Sequence, residues 1–155
     1  MIKLVRLDYR LLHGQLCFTW VQHVSAHRVI IVDDDSANDD LKKSALKLAK
    51  PQGVRLNVFT LEQILAKMPK VQQLKENIII IFGNVHDLAT FAKTHPEIAE
   101  INYGATANRS GATQTDQSVF LLPSEIEDTR EILAAGVKIY SQQTPGHART
   151  NITSI

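Results

Sequence analysis

Short apolar segments alternate along the chain with longer segments of helical periodicity. The apolar segments are rich in valine and isoleucine, which favour β-strands. They lie at residues 2–7, 27–33, 53–59, 77–83, 99–104, 118–122 and 136–140. Apolar residues recur at helical spacing between most of them, at residues 14–25, 37–49, 61–68, 85–94 and 124–135. The alternation predicts strands that are joined by helices.

The most apolar segment, NIIIIFG at residues 77–83, is apolar at successive positions. Such a run is typical of a strand in a parallel sheet that helices cover on both faces. We therefore predict one α/β domain over residues 1–155, with an open, mostly parallel twisted sheet of about seven strands. Residues 142–155 are polar and predict a tail or surface loop, and residues 105–117 form the longest internal polar loop, whose role the sequence does not indicate.

Capping patterns set several of the predicted boundaries. Thr60 with Gln63, and Ser124 with Glu127, have the spacing of capping boxes, in which each side chain accepts a free backbone N–H at a helix start. Gly136 stands where a helix would end in a left-handed residue.

Composition and charge exclude several classes of function. The chain is 44% apolar and 21% charged, with a net charge of +1, so no overall field favours nucleic acid or anionic lipid. No apolar run approaches the roughly 20 residues that cross a bilayer. Charged residues interrupt the first apolar segment, unlike a secretory signal. With Cys17 as its one cysteine, the chain is expected in a reducing cytoplasm, and Cys17 is expected to be a small buried residue rather than a nucleophile.

The stretch VRLDYRLLHGQ, residues 5–15, places four charged or titratable side chains directly after the first predicted strand. Ligands of open α/β sheets bind beyond the carboxyl ends of the strands. Gly14 is expected to allow a sharp entry into the next helix, so that His13 stands at its positive N-terminus. Arg10 carries a guanidinium suited to phosphate oxygens, and Asp8 is placed to orient Arg10 or to bind an imidazole nitrogen. A neutral His13 would be a nucleophile towards phosphorus.

A structural interpretation of the same residues stays open at this point. His13 beside a helix start is often solvated or structural, and Asp8 with Arg10 can form a surface pair worth less than ~1 kcal/mol. Arg6 lies on the strand, where it is placed to pair with Asp8 rather than to bind phosphate. No phosphate-binding loop with lysine is present, which excludes a typical nucleotide kinase.

The stretch from Arg6 to Trp20 resembles the signature R-[IV]-D-x-R-[LI]-[IL]-H-G-Q-V…W of a bacterial family. These are the IIB subunits of the mannose/fructose/sorbose group of the phosphoenolpyruvate-dependent sugar phosphotransferase system (PTS). The sequences VDDDSANDD, INYG and GVKIYSQQTP also have counterparts there. Tyr9 and Leu16 depart from the commoner acidic residue and valine, and the run INYGATANRSG departs from the family's usual form.

The resemblance implies a cytoplasmic phosphocarrier enzyme associated peripherally with a membrane transporter. It implies that His13 accepts a phosphoryl group from a phosphohistidine of a IIA protein, and that the group passes to a sugar carried by the IIC and IID membrane subunits. It also implies that Arg10 steadies the transferring phosphoryl group and that Asp8 orients the site. The family uses the Nδ1 nitrogen. No nucleotide or metal cofactor, nucleic acid or inserted membrane segment is expected.

Other residues carry weaker expectations. Gly14 and Gln15, and Gly83 with Asn84 after the fourth strand, are candidates to cradle the phosphoryl group. His23 with His27 has a zinc-compatible spacing but is expected to be structural, and the run of aspartates at residues 33–35 is expected to be a solvated helix start. Two rival functions are a sugar-phosphate-binding enzyme of the same fold and a non-catalytic anion-binding module.

Overall fold

The computed structural model describes the main chain of residues 1–155 and every side chain except that of Cys17, so the expected burial of Cys17 lies outside the described residues. The strands are β1 Ile2–Asp8, β2 Arg28–Val32, β3 Arg55–Phe59, β4 Ile78–Phe82, β5 Glu100–Ala105, β6 Thr113–Asp116, β7 Val119–Leu121, β8 Lys138–Ser141 and β9 Thr150–Ile152. The helices are α1 Gly14–Leu16, α2 Asp34–Ala37, α3 Asp40–Ala49, α4 Leu61–Gln73, α5 Val85–Thr94 and α6 Pro123–Ala134. A π-helical turn, Cys17–Val21, continues α1. Within the described part of the chain, no helix is both long and apolar enough to cross a membrane.

Seven strands form the main sheet in the order β3–β2–β4–β1–β5–β8–β9. All neighbouring strands in it are parallel except β8 and β9, which pair antiparallel. The predicted α/β class and mostly parallel sheet are therefore confirmed. β1 lies in the middle of the sheet between β4 and β5, which places its carboxyl end at the centre of one sheet edge.

Alternate residues of β4 pack into two separate apolar clusters, one on each face of the sheet. Ile78, Ile80 and Phe82 pack with residues of α4, α5 and α6. Ile79 and Ile81 pack on the opposite face with residues of α1, the π-helical turn and α3. All five side chains are fully buried, which explains why the segment is apolar at every position.

Two strand assignments differ from the prediction. The segment predicted at residues 118–122 is not in the main sheet, because β7 pairs antiparallel with β6 in a separate ribbon. The seventh strand is instead β9, inside the stretch predicted as a polar tail. Both β6 and β9 are short and mostly exposed, so neither shows the apolar alternation that identifies a half-buried strand. The segment predicted as one helix at 37–49 is divided, because Asp39 caps α3 with its carboxylate.

The helix boundaries test the capping predictions. The box at Thr60 is confirmed, since its hydroxyl accepts the Gln63 N–H at 3.1 Å and the Gln63 side chain accepts the Thr60 N–H at 2.9 Å. The box predicted at Ser124 is wrong, because α6 already begins at Pro123. Glu125 there accepts the N–H of Leu122 at 2.8 Å. Gly136 has a φ of 87°, as a left-handed residue after a helix requires.

Candidate functional site

The charged residues of the first loop meet at the carboxyl end of β1. The helical segment after β1 packs on one face of the sheet, whereas α5 and α6, which follow the neighbouring strands β4 and the β5–β7 region, pack on the other. Chain segments that leave adjacent strand ends towards opposite faces open a crevice between them, and ligands of open α/β sheets bind in such a crevice. The charged cluster therefore lies at the carboxyl end of β1, where the sequence predicts a ligand site.

Asp8 is the centre of this cluster and is completely buried. Its Oδ2 accepts hydrogen bonds from Arg6 Nη2 at 3.1 Å and Arg6 Nε at 3.3 Å. Its Oδ1 accepts from the Arg10 main-chain N–H at 3.0 Å and from Arg10 Nε at 3.3 Å. The Nε2 of His13 lies 3.1 Å from Oδ2. One carboxylate thus joins both arginines and the histidine.

The electrostatics of the cluster keep Asp8 ionised. Burial alone would raise the pKa of Asp8, but the hydrogen bond from His13, the charge of Arg6 and the N–H of Arg10 outweigh it and hold the pKa below its ordinary value of 3.8. An ionised carboxylate only accepts hydrogen bonds. His13 must therefore donate from Nε2, and in a neutral imidazole Nδ1 is then the nitrogen with the lone pair.

His13 stands directly before the first residue of α1, as expected, with 20% of its side chain exposed. Among the described residues, none makes a hydrogen bond to its Nδ1. The imidazole is therefore held through one nitrogen and offers the other. Such an arrangement fits a nucleophile whose orientation is fixed by a carboxylate.

The loop turns at Leu11 rather than at Gly14, which corrects the expectation for the glycine. Leu11 has a φ of 59°, in the left-handed region that non-glycine residues adopt at a cost of about 1–3 kcal/mol. Its buried side chain and the hydrogen bond from its N–H to the Asp8 carbonyl at 3.0 Å hold this conformation. Gly14 has no positive φ, and a Cβ there would meet no atom within 4 Å.

Arg10, like His13, has unused hydrogen-bonding capacity. Its side chain is 32% exposed, and its Nη2 is the one buried side-chain nitrogen or oxygen of the described residues that lacks a hydrogen-bond partner. A buried donor without a partner costs about 1–3 kcal/mol, so such groups are rare and often functional. An anion beside Arg10 would supply the missing acceptor.

Arg6 is a buried ion-pair partner of Asp8, as its place on the strand indicated, and its side chain is 1% exposed. Its Nη1 donates to Asn102 Oδ1 and to the Gln142 carbonyl, the latter at 3.1 Å, and its Nη2 donates to the Gln143 carbonyl at 3.1 Å. Burial lowers the pKa of Arg6, and the charge of Asp8 opposes that shift.

Four residues contact or surround Arg6 although the sequence indicated no such role for them. Trp20 is buried, lies 5.6 Å from the Arg6 guanidinium and donates its Nε1–H to the Gln143 carbonyl at 3.0 Å. Gly104 leaves the space that this guanidinium occupies, since a Cβ there would overlap it. A glycine inside the apolar strand β5 was the available signal for such a close approach. The carbonyls of residues 142 and 143 leave no signal in a sequence.

The four candidates for cradling the phosphoryl group lie on two chain segments. Gly14 and Gln15 are exposed in the first turn of α1. Gly83 follows β4, and a Cβ there would lie 3.1 Å from the Leu11 side chain. Asn84 caps α5, because its Oδ1 accepts the Asp87 N–H at 2.9 Å.

The other candidates have structural roles. Asp33 caps α2 by accepting the Ser36 N–H at 3.1 Å, in agreement with the expected helix start. His27 accepts the Asn77 N–H through Nδ1 at 2.9 Å, and Ser25, between the two histidines, has a φ of 52°. Among the histidine and acidic side chains that the structure describes, no three are grouped so as to hold a metal ion.

Comparisons with known proteins cover nearly the whole chain. The sequence model of the family described as PTS system sorbose subfamily IIB component matches residues 2–155. The chain is 37% identical over 138 residues to the sorbose-specific EIIB component of Klebsiella pneumoniae, which covers 89% of this chain and 84% of that protein. It is 27% identical to the N-acetylgalactosamine-specific phosphotransferase enzyme IIB component 1 of Escherichia coli, over 97% of this chain and 96% of that protein. The crystal structure of the IIBSor domain of the Klebsiella pneumoniae sorbose permease matches with a TM-score of 0.90 at 35% identity, covering 99% of this chain and 94% of that one.

These similarities confirm the resemblance that the first loop carries. PTS IIB components are phosphotransferases that take a phosphoryl group from a IIA protein and pass it to a sugar, and they work with membrane IIC and IID partners. Fold, loop sequence and full-length similarity agree: the chain belongs to the sorbose-subfamily IIB components of the sugar phosphotransferase system.

Proposed function

We propose that His13 carries the phosphoryl group, on its Nδ1 nitrogen. The observation that supports this most directly is the hydrogen bond of 3.1 Å between His13 Nε2 and the buried carboxylate of Asp8. That bond engages one nitrogen and leaves Nδ1 without a hydrogen-bond partner among the described residues. In the first transfer, the Nδ1–P bond forms as the N–P bond of the donor phosphohistidine breaks. In the second, a sugar hydroxyl attacks phosphorus, the Nδ1–P bond breaks, and the hydroxyl proton passes to solvent.

Asp8 stabilises the charge that develops on the imidazole. When Nδ1 bonds to phosphorus, His13 keeps its Nε2–H and its ring gains positive charge. The Asp8 carboxylate faces that N–H and has no access to water, so the attraction acts at a low effective dielectric. Because both bonds of the first transfer join phosphorus to an imidazole, its equilibrium lies near unity. The protein's contribution is then positioning and charge complementarity.

Arg10 binds the oxygens of the transferring group. Its Nε is held by Asp8 at 3.3 Å, whereas its Nη2 has no partner among the described residues. Its planar positive guanidinium matches the charge on phosphoryl oxygens, which would supply the acceptor that Nη2 lacks. Gly14 and Gln15 add main-chain N–H groups of the first helical turn, which have no intrahelical acceptor. The Asn84 side chain is engaged in capping and the Gly83 N–H donates to the Val32 carbonyl at 3.3 Å, which leaves the Asn84 main-chain N–H as the donor of this segment for a contact with phosphate.

The donor is the phosphohistidine of a IIA protein, and the acceptor is a monosaccharide held by IIC and IID subunits. Relatives of this chain are named for sorbose and for N-acetylgalactosamine, which indicates a hexose or hexose derivative. The chain would act in the cytoplasm, associated peripherally with the transporter, because the acceptor sugar is reached through the membrane subunits.

Phosphorylation in vitro tests the assignment. The chain is mixed with the general phosphotransferase proteins, a cognate IIA protein and labelled phosphoenolpyruvate. The wild type is expected to take up acid-labile, base-stable label, and His13→Gln is expected to take up none. Glutamine retains a donor for Asp8, so this variant separates loss of the nucleophile from loss of the fold. His86→Ala is the matched control, because His86 is 79% exposed and lies outside the cluster.

Three results would contradict the proposal. Label on His13→Gln equal to wild type would place the phosphoryl group elsewhere. Acid-stable label would exclude a phosphohistidine. No label on a folded wild type, combined with binding of a sugar phosphate, would favour the rival sugar-phosphate enzyme; binding of phosphate alone would favour the anion-binding module.

A further inference from the structure

The guanidinium of Arg6 has no hydrogen-bonding capacity left for a ligand. An arginine side chain has five N–H donors. In Arg6, Nε donates to Asp8, Nη1 to Asn102 and the Gln142 carbonyl, and Nη2 to Asp8 and the Gln143 carbonyl. All five donors are used, and the side chain is 1% exposed. Arg6 therefore contacts neither the phosphoryl group nor a docked protein, in contrast to Arg10.

The space for this guanidinium exists because residue 104 is glycine. A Cβ at Gly104 would overlap the Arg6 Cζ and both of its terminal nitrogens. The φ of Gly104 is not positive, so the backbone there does not itself require glycine. The requirement is steric and comes from one side chain.

The far side of Arg6 is held by the segment that follows β8. The Gln142 carbonyl also accepts from Asn102 Nδ2 at 3.1 Å, and the Gln143 carbonyl also accepts from Trp20 Nε1 at 3.0 Å. Each carbonyl thus has a second donor that fixes its position. Arg6 is held between this segment and Asp8, and cannot shift without breaking several hydrogen bonds.

Resting on the proposed role of His13, we propose that Arg6 is a positioning residue for phosphoryl transfer and that Gly104 is the residue that admits it. Arg6 fixes Asp8 Oδ2 at the point where it accepts the Nε2–H of His13. The imidazole is thereby kept in the tautomer with its lone pair on Nδ1. Displacement of Arg6 would release Asp8, and His13 would then populate both tautomers and rotate away from the attacking geometry.

Two substitutions displace Arg6 in different ways. Gly104→Ala drives the guanidinium out of its space without changing the chemical identity of any side chain of the cluster. Arg6→Lys keeps the positive charge but provides one ammonium group instead of a planar fork, so it cannot reach Asp8 and both carbonyls together. Gly146→Ala is the matched control, because a Cβ there would meet only the Thr144 hydroxyl, at 3.8 Å.

Two readouts distinguish positioning from a merely structural role. Nitrogen NMR of the unphosphorylated protein reports the His13 tautomer: we expect the Nε2–H form in the wild type and in Gly146→Ala, and a mixture in Gly104→Ala and Arg6→Lys. In transfer from phosphorylated IIA protein, we expect kcat about 100-fold lower in both variants, as for a misplaced reacting group, with KM for the donor unchanged because Arg6 is buried.

A double-mutant cycle sharpens the test. Lysine is slimmer than arginine near residue 104, so Gly104→Ala should have little further effect in the Arg6→Lys background, a non-additivity that links the two residues. The proposal is overturned if folded Arg6→Lys keeps the wild-type tautomer and kcat, or if its effect lies in KM alone. If Gly104→Ala does not fold, Arg6→Lys decides the question. The tautomer measurement needs no phosphorylation, so it is informative even if the wild type accepts no label on His13.

Discussion

Two clusters of charged residues follow strands at the same edge of the sheet, yet only one of them has the properties of a site. After β1, a fully buried carboxylate joins two arginines and a histidine, and Arg10 Nη2 and His13 Nδ1 are left without partners among the described residues. After β2, the three aspartates at residues 33–35 are all engaged. Asp33 caps α2, Asp34 accepts the Leu61 N–H at 2.8 Å, and Asp35 pairs with Lys42 at 2.6 Å.

The two clusters differ in how much of their hydrogen-bonding capacity is unused. The aspartates after β2 satisfy main-chain N–H groups and a surface lysine, so their charges are already used. In the cluster after β1 the buried carboxylate is satisfied, yet His13 Nδ1 and Arg10 Nη2 have no partner among the described residues. Charge at a strand end is therefore a weak indicator of function, and unsatisfied capacity next to a buried charge is a stronger one.

Among substitutions in the two clusters, Asp8→Asn should lower the transfer rate most. Loss of an orienting carboxylate behind a catalytic histidine lowers rates by about 10⁴-fold in serine proteases, and we expect about 10³- to 10⁴-fold here. Stability should also fall by about 3–5 kcal/mol, because Arg6 remains buried without its counter-charge. Initial rates of transfer from phosphorylated IIA protein, taken where circular dichroism shows the variant folded, measure the effect. Asp34→Asn is the matched control at β2, and equal rates for the two variants would remove the distinction.

Arg10→Ala should lower the transfer rate by about 100-fold, the effect of removing one donor to a developing charge. Arg10 is partly exposed, so the variant should fold normally. Arg10→Lys keeps the charge without the planar fork, so its transfer rate should lie between those of the wild type and Arg10→Ala. A full rate in Arg10→Ala would mean that its free Nη2 is unrelated to phosphoryl binding.

Acidification should remove the stability that the ionised Asp8 carboxylate contributes to the fold. The folded-state pKa of Asp8 lies below its ordinary value of 3.8, so its ionisation stabilises the fold above about pH 3.8. That contribution is lost as the pH falls through the lower, folded-state value. In urea unfolding between pH 5 and pH 2, wild type should lose stability more steeply than Asp8→Asn below about pH 4, by up to about 1.4 kcal/mol per pH unit. Parallel curves would show that Asp8 is not the group responsible.

Asp33→Ala should have the smallest effect and only on stability. Removal of an N-cap costs about 1 kcal/mol, which urea unfolding at neutral pH can measure. The transfer rate should stay at the wild-type value, since Asp33 is engaged with Ser36 in α2. A tenfold loss of rate would instead assign the acidic run after β2 to the site.

The parts of the fold that the sequence predicts are those where burial imposes a pattern. β4 and α5 bury regular apolar positions and were predicted within one residue of their bounds. β6 and β9 satisfy hydrogen bonds at an edge or in a ribbon while burying little, so polar residues occupy them and no pattern results.

The same distinction holds within the site. Asp8, Arg10 and His13 are close in sequence, so their meeting could be predicted from one loop. The partners of Arg6 come from residues 102, 142 and 143, which only the folded sheet brings to β1. The turn at Leu11 was missed because its positive φ depends on tertiary contacts of a leucine, whereas local propensity favoured Gly14.

The hydrogen bonds from Arg6 to the carbonyls of Gln142 and Gln143 span 136 and 137 residues of sequence. During synthesis, His13 leaves the ribosome well before the carbonyls of residues 142 and 143. A nascent chain that ends before residue 142 includes His13 but lacks the acceptors of two of the five hydrogen bonds that the Arg6 guanidinium donates, so Arg6 cannot be buried in it without losing those hydrogen bonds. The arrangement of Arg6 and Asp8 that holds His13 is therefore completed only when β8 and the segment after it have joined the sheet.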